Sequence, residues 1–164
     1  MSNYKVGIDP GWSNLGLAVL DKDDKVVLHI NMKPSSHGNI AGATQAVKDK
    51  LAPFIGKIDS VAVEKYVVYG RGVPSKAAID TTMMVGALCY MFHTIGLEAQ
   101  LYKAIDWKKA VCKDLFKNKG FKNPSSSFDK KYSMAAATCI CGIKFPTDHE
   151  ADAACLAFLS GVKT

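Results

Sequence analysis

Three carboxylates and an imidazole stand at positions where the chain changes direction. Asp9 ends an alternating apolar run, "YKVGID", and Pro10 and Gly11 stop the strand directly after it. Asp-Pro-Gly is equally ordinary turn chemistry. Glu64 closes a second apolar run, "SVAVE", either at a solvated strand end or beside a ligand. The stretch "TDHEADAACLAF" (147–158) opens a helix with Thr147, Asp148, His149 and Glu150, then places one more carboxylate, Asp152, before turning apolar. Acidic groups suit a helix N-terminus, where the dipole and the free N–H groups favour negative charge. Thr147 and Glu150 also have the Thr-x-x-Glu spacing of a capping box, in which each side chain satisfies the other's backbone N–H.

That box gives Thr147 and Glu150 a structural task and leaves Asp148, His149 and Asp152 free for another. At about 100° per residue, His149 and Asp152 lie about 60° apart on the helix surface and Asp148 and Asp152 about 40° apart. Glu150 points about 160° from Asp152. His149 and Asp152 therefore reach one point together, Asp148 sits near its rim, and Glu150 faces elsewhere. The small residues Ala151, Ala153 and Ala154 let this helix approach a sheet closely. Asp9, Glu64, Asp152 and His149 converging at one end of a sheet would repel strongly if left alone. A divalent cation resolves the repulsion, or two held about 3.5–4 Å apart, with one activating the attacking water and the other stabilising the leaving oxygen. Hard oxygen ligands favour Mg²⁺, and the imidazole makes Mn²⁺ a comfortable substitute.

The elements that would position these groups follow from periodicity. Strands are expected over 4–9, 14–20 and 25–32, joined by short turns as an antiparallel meander. A helix follows over 39–55, then a strand at 59–66, a long apolar helix at 75–96 and a strand at 98–104. Helices over 106–117 and 130–142, separated by the loop "NKGFKNPSSSF", precede the last helix, from 148 to about 160. A meander followed by alternating helices and strands predicts an α/β fold: a five-stranded mixed sheet with helices on both faces, the ribonuclease H-like architecture. The helix at 75–95 is apolar around most of its circumference ("MMVGALCYMF"), either because it is deeply buried or because it forms a dimer face.

Length and composition frame the chemistry. The 164 residues, 48% apolar and 22% charged, fit one globular domain spanning 1–164. No apolar run approaches the 18 or more residues of a membrane span, and the N-terminus lacks the pattern of a signal peptide. Five cysteines with no Cys-x-x-Cys pair point to free thiols in a reducing, intracellular, cytoplasmic setting. Nine lysines against three aspartates between 103 and 131 account for the chain's whole net charge of +6. Lys103, Lys108, Lys109, Lys113, Lys117, Lys119, Lys122, Lys130 and Lys131 are thus the expected footprint of a polyanion, unless they are only a solvated face.

"VGIDPGWSNLGLAV", "VAVE" and "HEADAACLA" together resemble the three acidic motifs of the RuvC family of Holliday junction resolvases, in order and over nearly the whole chain. The resemblance implies a homodimeric, Mg²⁺-dependent endonuclease that nicks four-way DNA junctions symmetrically. Asp9, Glu64 and Asp152 fall on the family's catalytic carboxylates. His149 falls where many members have a fourth aspartate and some have histidine, a departure that bears on metal preference and pH profile. Lys108 matches one functional lysine of the family, and Lys130 or Lys131 matches the other. Tyr66 and Tyr69 are the aromatics nearest the position of a wedge at the junction centre, and Arg71, between two glycines, is placed to contact backbone phosphate. Three rivals compete with this assignment: an actin-like kinase, for which the chain lacks a second nucleotide-binding half; a ribonuclease H-like nuclease acting on RNA or RNA–DNA hybrids; and a catalytically silent DNA-binding module.

Overall fold

Alternation along the strands divides the interior into two layers. In β1 (Tyr4–Asp9), Val6 and Ile8 are fully buried on one face, so Gly7 and Asp9 lie on the other. Val61 and Val63 of β4 (Ile58–Lys65) join Val6 and Ile8, which leaves Ala62 and Glu64 on the same face as Asp9. A computed structural model describes residues 3–67 and 72–161. In it β1, β2 (Leu15–Leu20) and β3 (Val26–Met32) form the antiparallel meander, while β4 and β5 (Ala99–Lys103) add in parallel on the other side of β1. The sheet order is β3-β2-β1-β4-β5, the mixed five-stranded sheet expected from the sequence.

On the Val6/Ile8 face pack α1 (Ile40–Leu51) and α2 (Lys76–Thr94), through Ala43, Val47, Leu51, Met84, Leu88 and Phe92. On the Asp9/Glu64 face lie α3 (Ala104–Lys119), α4 (Lys130–Cys141) and α5 (Asp148–Ser160). α1 is shorter than its expected 39–55, because Pro53 has no N–H to continue the helical hydrogen-bond ladder, although Ala52 before it keeps helical geometry. A 3₁₀ turn (Pro34–His37) precedes it. α3 begins at Ala104, directly from the end of β5, and stops at Gly120, whose φ of 64° closes the helix in the left-handed conformation. No helix among the described residues is long and apolar enough to cross a membrane.

Two strand glycines set how closely α5 lies on the sheet. A Cβ on Gly7 would fall 1.9 Å from the Ala153 carbonyl oxygen, and one on Gly16 would fall 1.9 Å from that of His149. Neither clash can be relieved by turning a side chain, since both obstacles are helix backbone. Glycine in these strands is the condition for the helix to reach the strand ends.

Candidate active site

Asp9 and Glu64 stand level at the carboxyl ends of neighbouring parallel strands, because Ile8 pairs with Val63 one residue before them. α5 crosses the same face, and its first turn brings His149 Nδ1 to 2.7 Å from Asp9 Oδ2. That hydrogen bond, outweighing the opposing effect of burial, holds the His149 pKa above its ordinary value. One turn on, Asp152 Oδ2 lies 3.6 Å from the ammonium of Lys108, which α3 delivers from the side. Burial pushes Asp152 up to about 6 against the pull of Lys108, and the charge of Asp9 adds to the rise. Burial likewise pushes Glu64 up to about 7, reinforced by Asp9 and opposed by the Trp107 indole, which donates to Glu64 Oε2 at 2.7 Å.

The other polar residues of α5 divide much as their helix angles predict. Asp148 stands at the rim, paired with Lys130 at 3.0 Å. Glu150 points away from the site and is buried, but its partners differ from a reciprocal capping box. Thr147 Oγ1 does accept from the Glu150 N–H at 3.3 Å. The Glu150 carboxylate, however, accepts from the Thr147 hydroxyl at 2.7 Å and meets His29 Nδ1 of β3 at 2.8 Å. The second half of the box is replaced by a tie from α5 to the meander. Periodicity within one helix carries no information about a partner 121 residues away in the chain.

The donor set fits a divalent cation. Asp152 Oδ1 is buried with no well-formed hydrogen bond, a costly state for a carboxylate oxygen unless something positive faces it, although the nearby Ser133 hydroxyl favours the charged carboxylate. The charge of Asp9 raises the proton affinity of both Glu64 and Asp152, and the charge of Asp152 raises that of Glu64. The four expected ligands nevertheless do not form a ready-made cage: among the described residues no three His, Cys, Asp or Glu side chains are grouped closely enough to hold a metal ion. The side chains have turned to separate neighbours instead, Asp9 and His149 to each other, Glu64 to Trp107 and Asp152 towards Lys108.

Around this centre the lysines fall into different environments. Lys103, Lys109, Lys113, Lys117, Lys122 and Lys131 are exposed. Lys108 is mostly buried, its ammonium 5.1 Å from the Trp107 ring centroid and 3.6 Å from Asp152. Lys119 donates to the carbonyls of Cys139 and Ile140 at 3.1 and 3.4 Å, satisfying the C-terminus of α4, and Lys130 is held by Asp148. Tyr66, just past β4, is exposed and shares a groove of about 240 Å³ with Trp12, Thr81 and His149. Tyr69 and Arg71 lie outside the described residues. Trp107 was not singled out by the sequence, although a tryptophan beside Lys108 at the start of a helix is a signal that could have found it. Gly7 and Gly16 carry a general one, glycine inside a strand pattern.

Two solved structures of Thermus thermophilus RuvC resemble this fold. One, RuvC in complex with a Holliday junction substrate, has a TM-score of 0.66 at 19% identity, covering 96% of this chain and 90% of that chain. The other, Thermus thermophilus RuvC, has a TM-score of 0.64 at 19% identity, covering 96% and 91%. No family model matches the chain, and no curated protein matches it in sequence. The chain has the RuvC-like form of the ribonuclease H-like fold.

Proposed function

We propose that the chain is a metal-dependent DNA endonuclease that cuts four-way or otherwise branched junctions. The observation that carries this is the gathering of Asp9, Glu64 and Asp152 at one end of the sheet, with a buried Asp152 oxygen that lacks a well-formed hydrogen bond and a lysine-rich face beside them. A similar fold has been seen holding a Holliday junction, in the Thermus thermophilus protein, which favours DNA over an RNA–DNA hybrid.

Asp9, Glu64, Asp152 and His149 are the residues that would hold Mg²⁺ or Mn²⁺, two ions per site. Bound there, a divalent cation supplies a nucleophilic water at neutral pH and offsets charge on the phosphate. Lys108 projects into the same space from α3, where its ammonium would stabilise the additional negative charge of the transition state. Asp9 accepts from His149 and so holds the imidazole against the strand ends. Trp107 does the same for Glu64, fixing the carboxylate from its buried side. The exposed lysines would hold the arms by their phosphates, which fixes orientation without reading sequence.

A homodimer belongs to the proposal. Ile79, Met83 and Tyr90 lie exposed along α2, on the side away from the sheet. Pairing two copies through this stripe would place two sites on a two-fold axis, matching paired nicks on a symmetric junction. The deciding experiment incubates the protein with a synthetic four-way junction, a linear duplex and an RNA–DNA hybrid, each with Mg²⁺ or Mn²⁺. Preferential cutting of the junction, abolished by Asp9→Asn while binding persists, is the expected result. Cutting of the hybrid alone would reject a junction substrate, and wild-type rates in Asp9→Asn would reject the site.

A further inference from the structure

One face of α3 is not uniformly charged. Lys109, Cys112, Lys113 and Phe116 recur at the spacing that places them on one side of a helix. Phe121 and Lys122 of the loop leaving α3, and Phe128 at the far end of that loop, line the same space. Between them lies an open, shallow apolar depression of about 460 Å³. Its walls are aromatic rings and its rim is lysine. Phe116 is 62% exposed, so a full apolar ring faces water in the most basic stretch of the chain.

The depression is braced before anything binds. Asn123 Oδ1 accepts from the Ser125 N–H at 3.0 Å, and Asn123 Nδ2 donates to the Ser127 carbonyl at 3.1 Å. The Asp129 carboxylate accepts from the Ser125 hydroxyl at 2.8 Å while capping α4 through the N–H groups of Lys131 and Tyr132. Phe128 and Phe121 meet the buried Tyr132 ring edge-on, with centroids 4.9 and 6.2 Å apart. Tyr132 in turn donates to the Lys108 carbonyl at 2.7 Å, and the Lys108 ammonium reaches the Phe128 carbonyl at 3.5 Å. Depression and active site thus share one scaffold.

We propose that this depression receives one unstacked nucleobase of the DNA, stacked on Phe116, with the flanking phosphates held by Lys109, Lys113 and Lys122. The proposal rests on the nuclease function above and adds a base-holding subsite to it. The occupant follows from complementarity: aromatic walls require a flat apolar face, and cations on the rim require anions on either side of it. A nucleotide within a strand has both. A base inside a duplex already has both faces stacked, so the subsite favours a position where stacking is broken, such as a branch point. Asn123 spends its polar atoms inside the loop, so the base is held by stacking rather than by hydrogen-bond readout of its edge.

Phe116→Ala tests this without disturbing the core, because the ring is exposed; thermal unfolding checks the fold. Junction affinity should fall roughly 5- to 150-fold with an unchanged salt slope, and Phe116→Trp should retain it. Lys113→Ala should instead flatten the slope by about one. Abasic replacements scanned across the branch point should reveal one nucleotide whose loss weakens wild-type binding equally and adds nothing in Phe116→Ala. A change within about twofold in Phe116→Ala, or additive losses at every abasic position, overturns the subsite. So does a shift in sedimentation of Phe116→Ala with DNA binding intact, which would make the depression a seat for a second copy of the chain. If the wild type cuts the junction and Phe116→Ala is silent, the subsite alone falls. If the wild type neither binds nor cuts it, the nuclease function falls too.

Discussion

A carboxyl group pushed up to about 7, as in Glu64, or to about 6, as in Asp152, keeps part of its proton near neutral pH. A divalent cation must displace such protons, so binding of Mn²⁺ near pH 6.5 should release protons, measurable by calorimetry in buffers of different ionisation enthalpy. The same shifts govern stability. Both folded-state values lie above the unfolded ones, so the folded chain binds these protons more tightly. The stability they contribute is full below about pH 4 and is lost as pH rises through about 6 and 7. Cation-free Asp152→Asn should therefore melt above wild type at pH 8, by about 2–4 °C per kcal/mol of repulsion relieved, with the gain fading as the pH is lowered towards 4. An equal gain at both pH values would contradict it. His149 titrates above its usual value because of Asp9, so a site that needs neutral imidazole should lose activity as pH falls through a midpoint above about 6.5. In His149→Asp that acid limb should move down; a limb that stays put belongs to Glu64. Lys108→Ala should lower the single-turnover rate at saturating DNA and leave affinity nearly unchanged.

At the scale of elements, α5 decides whether these residues meet at all, and its seating depends on backbone-to-backbone approach. Gly16→Ala would drive a Cβ into the His149 carbonyl, so it should depress melting temperature and cleavage together, whereas alanine at Gly86, inside α2 with nothing near its Cβ, should raise melting temperature instead. Glu150→Gln keeps an acceptor for the Thr147 hydroxyl but weakens the His29 tie. It should lower stability by about 1 kcal/mol while cleavage at low temperature persists. Inactivity equal to that of Asp152→Asn would undo the division between tether and ligand. Much of this was legible in the sequence. The three motifs lie at strand ends and in the first turns of a helix, where periodicity is informative, and the angular separation of Glu150 from Asp152 follows from helix geometry alone. The His29–Glu150 tie, the Trp107–Glu64 bond and the clash-limited contacts of Gly7 and Gly16 are long-range, fixed by how elements pack rather than by local pattern. The same holds for the separate partners taken by the metal-ligand candidates. Residue types named them; only packing shows which neighbours each takes.

For the whole molecule, charge and exposed apolar surface make separate claims. The α2 stripe predicts that Met83→Glu shifts the protein to monomer in sedimentation and abolishes paired nicking, with the cation-binding protons unaffected. A wild-type monomer that still resolves junctions would reject the dimer. The basic segment predicts a salt dependence, and here the structure distinguishes lysines that composition counts alike. About six phosphate contacts per protomer would give a log–log slope near −5 on duplex arms. Lys117, exposed on α3, should flatten that slope by about one when replaced by alanine, weakening every sequence alike. Lys119 stands two residues further on but spends its ammonium on the Cys139 and Ile140 carbonyls. Lys119→Ala should therefore leave the slope nearly intact and lower the melting temperature instead, because the end of α4 loses its donor. Measuring slope and melting temperature on the same two variants separates the roles. Equal slope changes in both would mean that Lys119 leaves the helix end to reach phosphate when DNA arrives.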